Sequence, residues 1–493
     1  MHGISTGSSG INSPQQSEAP FRFMNYIWIS LYWFALSFLW GGFLSIVLPA
    51  LNKPLAEPIF GNNYETARGI LSSIGLIIAM FVQPLSGAIS DNSSHPMGRR
   101  RPFIIVGTLG GLGALALCAL AFNWWILLLG YCILQFTDNT AQGAYQGLMP
   151  DTVPEGKRGR ASASLAIAQL SGTLFGAVVP GILQGMMGDI DGSRLMLLLN
   201  AVIFVIAMSL TVIFVKEKPY HPTVKISPMR AGFNMFGGLR KYPDFLILMV
   251  ARFLFLTAPA SISLFAKSFL EREGFIKPKV NAAGLPVDAD GLVLLDPSKY
   301  VIEAGFTLSI LLGLVIIGAV VASFPASLLS DKIGRKKVIY LASVFGLIGG
   351  LGLFIPRIMM ANAVQESLKL SGFVEQQAYL DTVRPGATIL VIVFGAFIGT
   401  SWGSFMSVDW AFATDLIPLS EAGRFMGLSN LATAGCQAFG AFVGGFIVDS
   451  SLGYSGLFVA IALYYLISIT ILTRVRETRG RGAHPLNEGE VLA

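Results

Sequence analysis

Long apolar runs separated by short polar turns fill the chain from residue 25 to residue 474. A bilayer core of about 30 Å takes about 20 helical residues to cross. Runs of that length predict twelve spans: 25–48, 67–90, 102–122, 125–147, 160–185 and 194–215, then 244–268, 304–330, 337–356, 387–413, 422–447 and 454–474. A basic, proline-bearing stretch at 217–243 divides them six and six. The expectation is an all-α membrane protein of two six-helix bundles, 21–216 and 244–476, joined by a cytoplasmic linker. Residues 1–20 are rich in Ser, Gly and Gln and lack a basic-then-apolar start, so they read as a disordered tail rather than a signal peptide. Residues 477–493 read as a second cytoplasmic tail.

Composition agrees with this pattern. Of 493 residues, 53% are hydrophobic and 13% charged, where soluble domains carry about a quarter charged residues. An aqueous enzyme is thereby excluded. The net charge of +6 would point to nucleic acid only if the basic residues formed one patch, and they do not. With the N-terminus inside, 22 of the 34 Lys and Arg fall in inner segments and 10 in outer ones. The positive-inside rule then puts both termini in the cytoplasm, with the cell membrane as the expected location. Cys118, Cys132 and Cys436 show no metal-ligand spacing, and the four histidines lie outside the spans. Gly156-Lys157 is followed by Arg158, so no nucleotide-binding loop is present. No metal or cofactor is expected, and no enzymatic activity.

The same sorting leaves Arg252 and Lys267 within spans, together with Asp138 and Asp409. A charge at that depth is costly unless it faces a partner or a wet cavity.

The halves echo each other. Ser90-Asp91 followed by Gly98-Arg99-Arg100-Arg101 ends the second span, and Ser330-Asp331 followed by Gly334-Arg335-Lys336-Lys337 ends the eighth. Asp151 to Arg160 after the fourth span matches Asp415 to Arg424 after the tenth in spacing. These loops resemble the Gly-x-x-x-Asp-x-x-Gly-Arg-Arg/Lys signature of the major facilitator superfamily. Gly87 to Arg100 carries it with four extra residues, and Asp331 to Lys336 without them. The resemblance implies two bundles about a cavity that opens alternately to either side, with substrate near the midplane.

Met97 to Phe103 and Asn139-Thr140-x-Gln142-Gly143 resemble the plant sucrose–proton symporters and their animal and bacterial sugar-carrier relatives. Those symporters carry an acid and an arginine where this chain has Gln135 and Gln146, so their coupling pair is absent here. The acids that melibiose-type sodium carriers use in the first two spans are also missing before Asp91.

On the fourth span Gln135, Asp138, Asn139, Gln142 and Gln146 form one helical stripe. It reads as the wall of an aqueous vestibule or as a hydrogen-bonded seam between helices. Candidate substrate contacts are those five residues with Trp40, Gln169, Arg252, Trp402, Asp409, Asn430 and Gln437. Asp138 and Asp409 are the candidate proton carriers. Asp409 reads equally as an inner-gate ion-pair member, and Arg252 either snorkels or pairs with one of the two acids. Lys267, near the outer end, reads as snorkelling. Gly172-x-x-x-Gly176 reads as a site of close helix approach. Asp91, Arg99, Arg100, Asp151, Arg160, Asp331, Arg335, Asp415 and Arg424 are expected to form a cytoplasmic gate. Together these predict proton-coupled uptake of a sugar by a monomer whose partners are the solute, protons and lipid. Uncoupled facilitation and proton-driven export of amphipathic compounds are the alternatives.

Overall fold

The computed structural model describes residues 22–154, 157–217, 242–287, 292–294, 300, 302–415 and 422–475. Both tails and most of the linker lie outside the described residues, as do the side chains of Asp415, Arg424 and Asn430. Twelve long helices are present among the described residues. α1 runs Phe23–Gly42, passes a single π-turn at Phe43–Val47 and continues as Leu48–Phe60. The others in the first half are α2 (Tyr64–Asp91), α3 (Arg101–Ala119), α4 (Trp124–Gln146), α5 (Arg158–Met187) and α6 (Asp189–Phe214). The second half holds α7 (Pro243–Arg272), α8 (Gly305–Ile333), α9 (Arg335–Gly352), α10 (Phe373–Asp415), α11 (Ala422–Asp449) and α12 (Gly453–Leu472). Ten helical stretches are long and apolar enough to cross a membrane, one of which, Phe23–Asp91, holds both α1 and α2. The stripe of amides lowers the hydropathy of α4, which reaches crossing length all the same.

Several boundaries differ from the sequence reading. The stretch 357–386, expected to be an outer loop, is helical, as Phe354–Ser367 and the first turns of the 43-residue α10. Hydropathy marks the depth of the bilayer and not the end of a helix; Ala, Met, Gln and Glu carry this one onward. α1 likewise runs past its expected end at 48 to Phe60. α2 begins at Tyr64, three residues before the expected start, which brings Glu65 into the helix beside Arg68, both buried and paired with each other.

The internal repeat survives as geometry. Gly98 and Gly334 take φ of +107° and +102° at matching turns, a conformation in which a side chain is strained. The cations that follow serve matching roles. Arg100 donates to Ser90 Oγ at 2.6 Å and pairs with Asp91 at 2.5 Å; Arg335 donates to Ser330 Oγ at 3.3 Å and pairs with Asp331 at 3.4 Å. Arg101 donates to the Val215 carbonyl at 2.8 Å, and Lys336 to those of Val475 at 2.8 Å and Thr473 at 2.9 Å, so each last helix of a bundle has its free carbonyls satisfied by a cation.

These turns define a basic face of the molecule. At the opposite face the bundles meet tightly, α2 against α11 and α5 against α8. Small residues make this possible: a Cβ on Gly69 would meet the Ala441 carbonyl at 2.5 Å, and one on Gly445 the Glu65 carbonyl at 2.7 Å. Ser73 Oγ donates to the Ala438 carbonyl at 2.8 Å, and Ser45 Oγ bonds Ser263 Oγ at 2.8 Å within the same seam. Toward the basic face the helices part. Tyr64–Leu76 of α2 is mostly buried, whereas 81–89 is mostly exposed or half-buried. Ser162, Gln146 and Gln169 are exposed there too, and polar side chains at such positions face water rather than lipid.

Inside the first bundle α1 crosses α5 at backbone contact, with Gly172 and Gly176 against the Phe34 and Phe38 carbonyls. Gly176→Ala should therefore cost about 1–3 kcal/mol by overpacking. Gly113→Ala, which enters open space, should gain up to about 1 kcal/mol of helix propensity. Thermal midpoints of the purified variants in detergent measure both.

Candidate functional site

α4 and α1 build one wall of the site. Asp138 lies just past the middle of α4 and is 4% exposed. Its Oδ2 accepts the indole N–H of Trp40 at 2.6 Å. Asp138 forms no ion pair among the described residues. Beside it, Gln135 donates to the Tyr131 hydroxyl at 2.6 Å, and Asn139 donates to Gln135 Oε1 at 3.0 Å and to its carbonyl at 2.8 Å. Gln135 and Asn139 are buried, Gln142 is half-buried, and Gln146 is exposed. The stripe thus grades from a buried deep end, where Asp138 bonds α1 and Gln135 and Asn139 bond within α4, to an exposed end at the basic face.

Aromatic rings fix this wall. Phe43 stacks on Tyr131 at 5.8 Å between centroids, and Trp33 on Tyr145 at the same spacing. The Tyr145 hydroxyl donates to the Ile29 carbonyl, and Tyr32 shares a hydrogen bond with Thr108 at 2.8 Å. Tyr32, Tyr131 and Tyr145 escaped the sequence reading because, within an apolar run, a tyrosine that anchors looks like any packed aromatic residue.

A second buried polar cluster comes from α7, α10 and α11. Arg252, 2% exposed, ion-pairs with fully buried Asp409 and donates to Thr433 Oγ1 at 2.9 Å. Of the readings open for Arg252, the structure selects pairing with Asp409. Trp402 and Gln437 are half-buried on the same two helices as the acid and the threonine. Lys267 does not snorkel. It is 1% exposed and ion-pairs with Asp189, because the tight seam closes over it before its ammonium can reach water.

At the basic face, Arg99 and Arg100 converge on Asp151, Arg100 at 3.0 Å. Glu217 accepts the backbone N–H of Arg100 at 3.0 Å and of Arg101 at 3.0 Å. Partial burial alone would raise the Asp151 carboxyl, but hydrogen bonds from Arg99 and Arg100 outweigh it and hold the group below the usual carboxylate range. The described ion pairs at this face join elements of one bundle, and Arg160 is exposed.

Residues 23–287 and 294–491, most of the chain, match the model of the Major Facilitator Superfamily. The chain is a member of that superfamily and a multi-pass membrane protein. It is 26% identical over 251 residues to the multidrug resistance protein MdtG of Enterobacter lignolyticus, covering 50% of this chain and 56% of that one. A human protein named proton-associated sugar transporter A is 31% identical over 168 residues, 30% of this chain and 22% of its own. The chain thus spans about half the length of the bacterial relative and about a fifth of the human one. Two solved structures share the fold. The nucleoside transporter NupG superposes with a TM-score of 0.63 at 15% identity, over 91% of this chain and 97% of that one. A D-xylose-proton symporter gives 0.64 at 13%, over 93% and 100%.

Two variants test these electrostatics. Arg252→Leu should destabilise the protein by about 3–5 kcal/mol, because it strands a buried carboxylate, while Arg252→Leu with Asp409→Leu should recover most of the loss; thermal unfolding of both in detergent measures it. Asp151 has a lowered value when folded, so its pairing stabilises above the ordinary carboxylate range and is lost as pH falls through the lowered value. Asp151→Asn should lower the midpoint at pH 7, by about 1 kcal/mol after screening, with a gap to the parent that closes in acid.

Proposed function

We propose that the protein takes up a sugar-like solute together with a proton by alternating access, with both termini in the cytoplasm and the open, basic face inward. The observation that carries this reading is Asp138, deep in α4 with the Trp40 indole at 2.6 Å and no ion pair among the described residues. A buried charge without a counter-ion is costly, and a proton removes that cost. Asp138 takes its proton from outside, permits closure around the solute, and releases it through the wet end of the stripe at Gln142 and Gln146.

The change passes to α1 through Trp40. The π-turn at Phe43–Val47 lies three residues further on and carries Ser45 to its contact with Ser263 in the other bundle. Gln142, Gln146 and Gln169 supply hydroxyl-binding amides, and Trp40 and Trp402 supply flat faces for sugar C–H surfaces. Arg252 and Asp409, already neutralised by each other, orient the solute or join the proton transfer. Similarity to a human protein named as a proton-associated sugar transporter supports the substrate class. Asp91, Arg99, Arg100, Asp151, Arg160, Asp331, Arg335, Asp415 and Arg424 rearrange to close the inner face.

A second reading is proton-driven export of amphipathic compounds, favoured by the similarity to a bacterial protein named for multidrug resistance. A thermal-shift screen of mono- and disaccharides against amphipathic cations at two pH values separates the two, because binding stabilises by mass action. In vesicles, Asp138→Asn should lose accumulation driven by a pH gradient and keep solute exchange. Undiminished accumulation removes Asp138 from the coupling role.

A further inference from the structure

Among the described residues, three cations hydrogen-bond across the seam opposite the basic turns and share a pattern, while Lys53 lies over the Tyr64 ring with Glu271 in range of its charge. Arg68 pairs with Glu65 on its own helix and reaches across to Ser268 Oγ at 3.3 Å. Arg272 pairs with Asp449 of its own bundle at 3.0 Å and reaches across to the Tyr64 hydroxyl at 2.7 Å. Lys267 has Glu271 one turn on at 3.9 Å, and reaches across to Asp189 and to Gln184 Oε1 at 3.3 Å. Each cation thus owns a carboxylate that stays with it if the bundles part. Only at Lys267 does the reach across end on a carboxylate: among the described residues, Lys267–Asp189 is the one ion pair that joins the two bundles.

Parting the seam would break Lys267–Asp189 and leave Lys267 to Glu271. Glu271 is held for that role within its own bundle, since its Oε1 also accepts the Ala304 backbone N–H at 3.4 Å. A buried ammonium needs an anion beside it, and Glu271 lets Lys267 keep one while the seam parts and before water reaches it. The geometry points to Lys267 as a positioning residue of the transport cycle, exchanging Asp189 in the closed seam for Glu271 in the open one and so setting the balance between the two conformations. This inference rests on the alternating-access reading above. The two carboxylates then act with opposite sign: Asp189 favours the closed seam and Glu271 the open one.

Ser45, 7% exposed and bonded across the seam to Ser263, provides the readout. In a Ser45→Cys background, maleimide labelling from the outer side reports opening, with the parent and its three native cysteines as baseline. Asp189→Asn should raise the labelling rate several-fold, and Glu271→Gln should lower it. Lys267→Asp with Asp189→Lys should bring the rate back toward the parent value. A merely structural role would move the first two variants in the same direction, and that result, or a rate indifferent to Asp189, overturns the proposal. A cysteine at position 45 that never labels in any variant, with or without solute, overturns alternating access itself and this proposal with it.

Discussion

A carboxylate deep in a membrane helix must be neutralised by a cation or by a proton, and the two halves of this protein answer that demand differently. In the second half Asp409 meets Arg252, and the pair is closed in by α7, α10 and α11. In the first half Asp138 has an indole N–H for company. The difference divides the labour of the site. The charge of Asp409 is balanced by a cation in contact with it, whereas that of Asp138 has only a hydrogen bond to offset the cost of burial. The aromatic packing of α1 on α4 matters because it keeps water away from Asp138 while leaving Gln142 and Gln146 within its reach.

Each bundle is tied together within itself for related reasons. Backbone groups in lipid have no water to turn to, so helix ends and turns are tied within each bundle. Arg101 on the Val215 carbonyl and Lys336 on that of Val475 are the plainest cases. Glycine contacts between α1 and α5 bind the same unit by dispersion, without polar groups. Between the bundles the contacts are of another kind: among the described residues they include small-residue edges and hydrogen bonds from serines and from Arg68, Lys267 and Arg272, with Lys267–Asp189 the one ion pair.

Much of this was legible in the sequence. Twelve crossings followed from run length, the duplication from Asp91 and Asp331 with their basic turns, and the important charges from counting which residues had no loop to sit in. Arg252 and Asp409 emerged in that way as candidates, with their union as one of the readings open, which a pattern along the chain could not select because 157 residues separate them. Lys267 was misread because its partner Asp189 looked like an ordinary loop acid at the start of α6. Glu65 fell outside the expected span 67–90 because charge interrupts an apolar run without ending a helix. The tyrosines around Asp138 left no trace at all, since hydropathy counts them as bulk. Pairing across the chain is the information that a one-dimensional pattern lacks.

The length of α10 adds a mechanical consequence. Its 43 residues make a rod of about 65 Å at 1.5 Å per residue, about twice the thickness of the bilayer core. Phe354–Ser367 lies alongside, and Arg384 ties the rod to the Gly274 carbonyl at 3.0 Å. The helix that holds the buried carboxylate near one end thus projects past the bilayer core at the other, and Pro385, which lacks an N–H to donate, marks the place along it where the rod can bend.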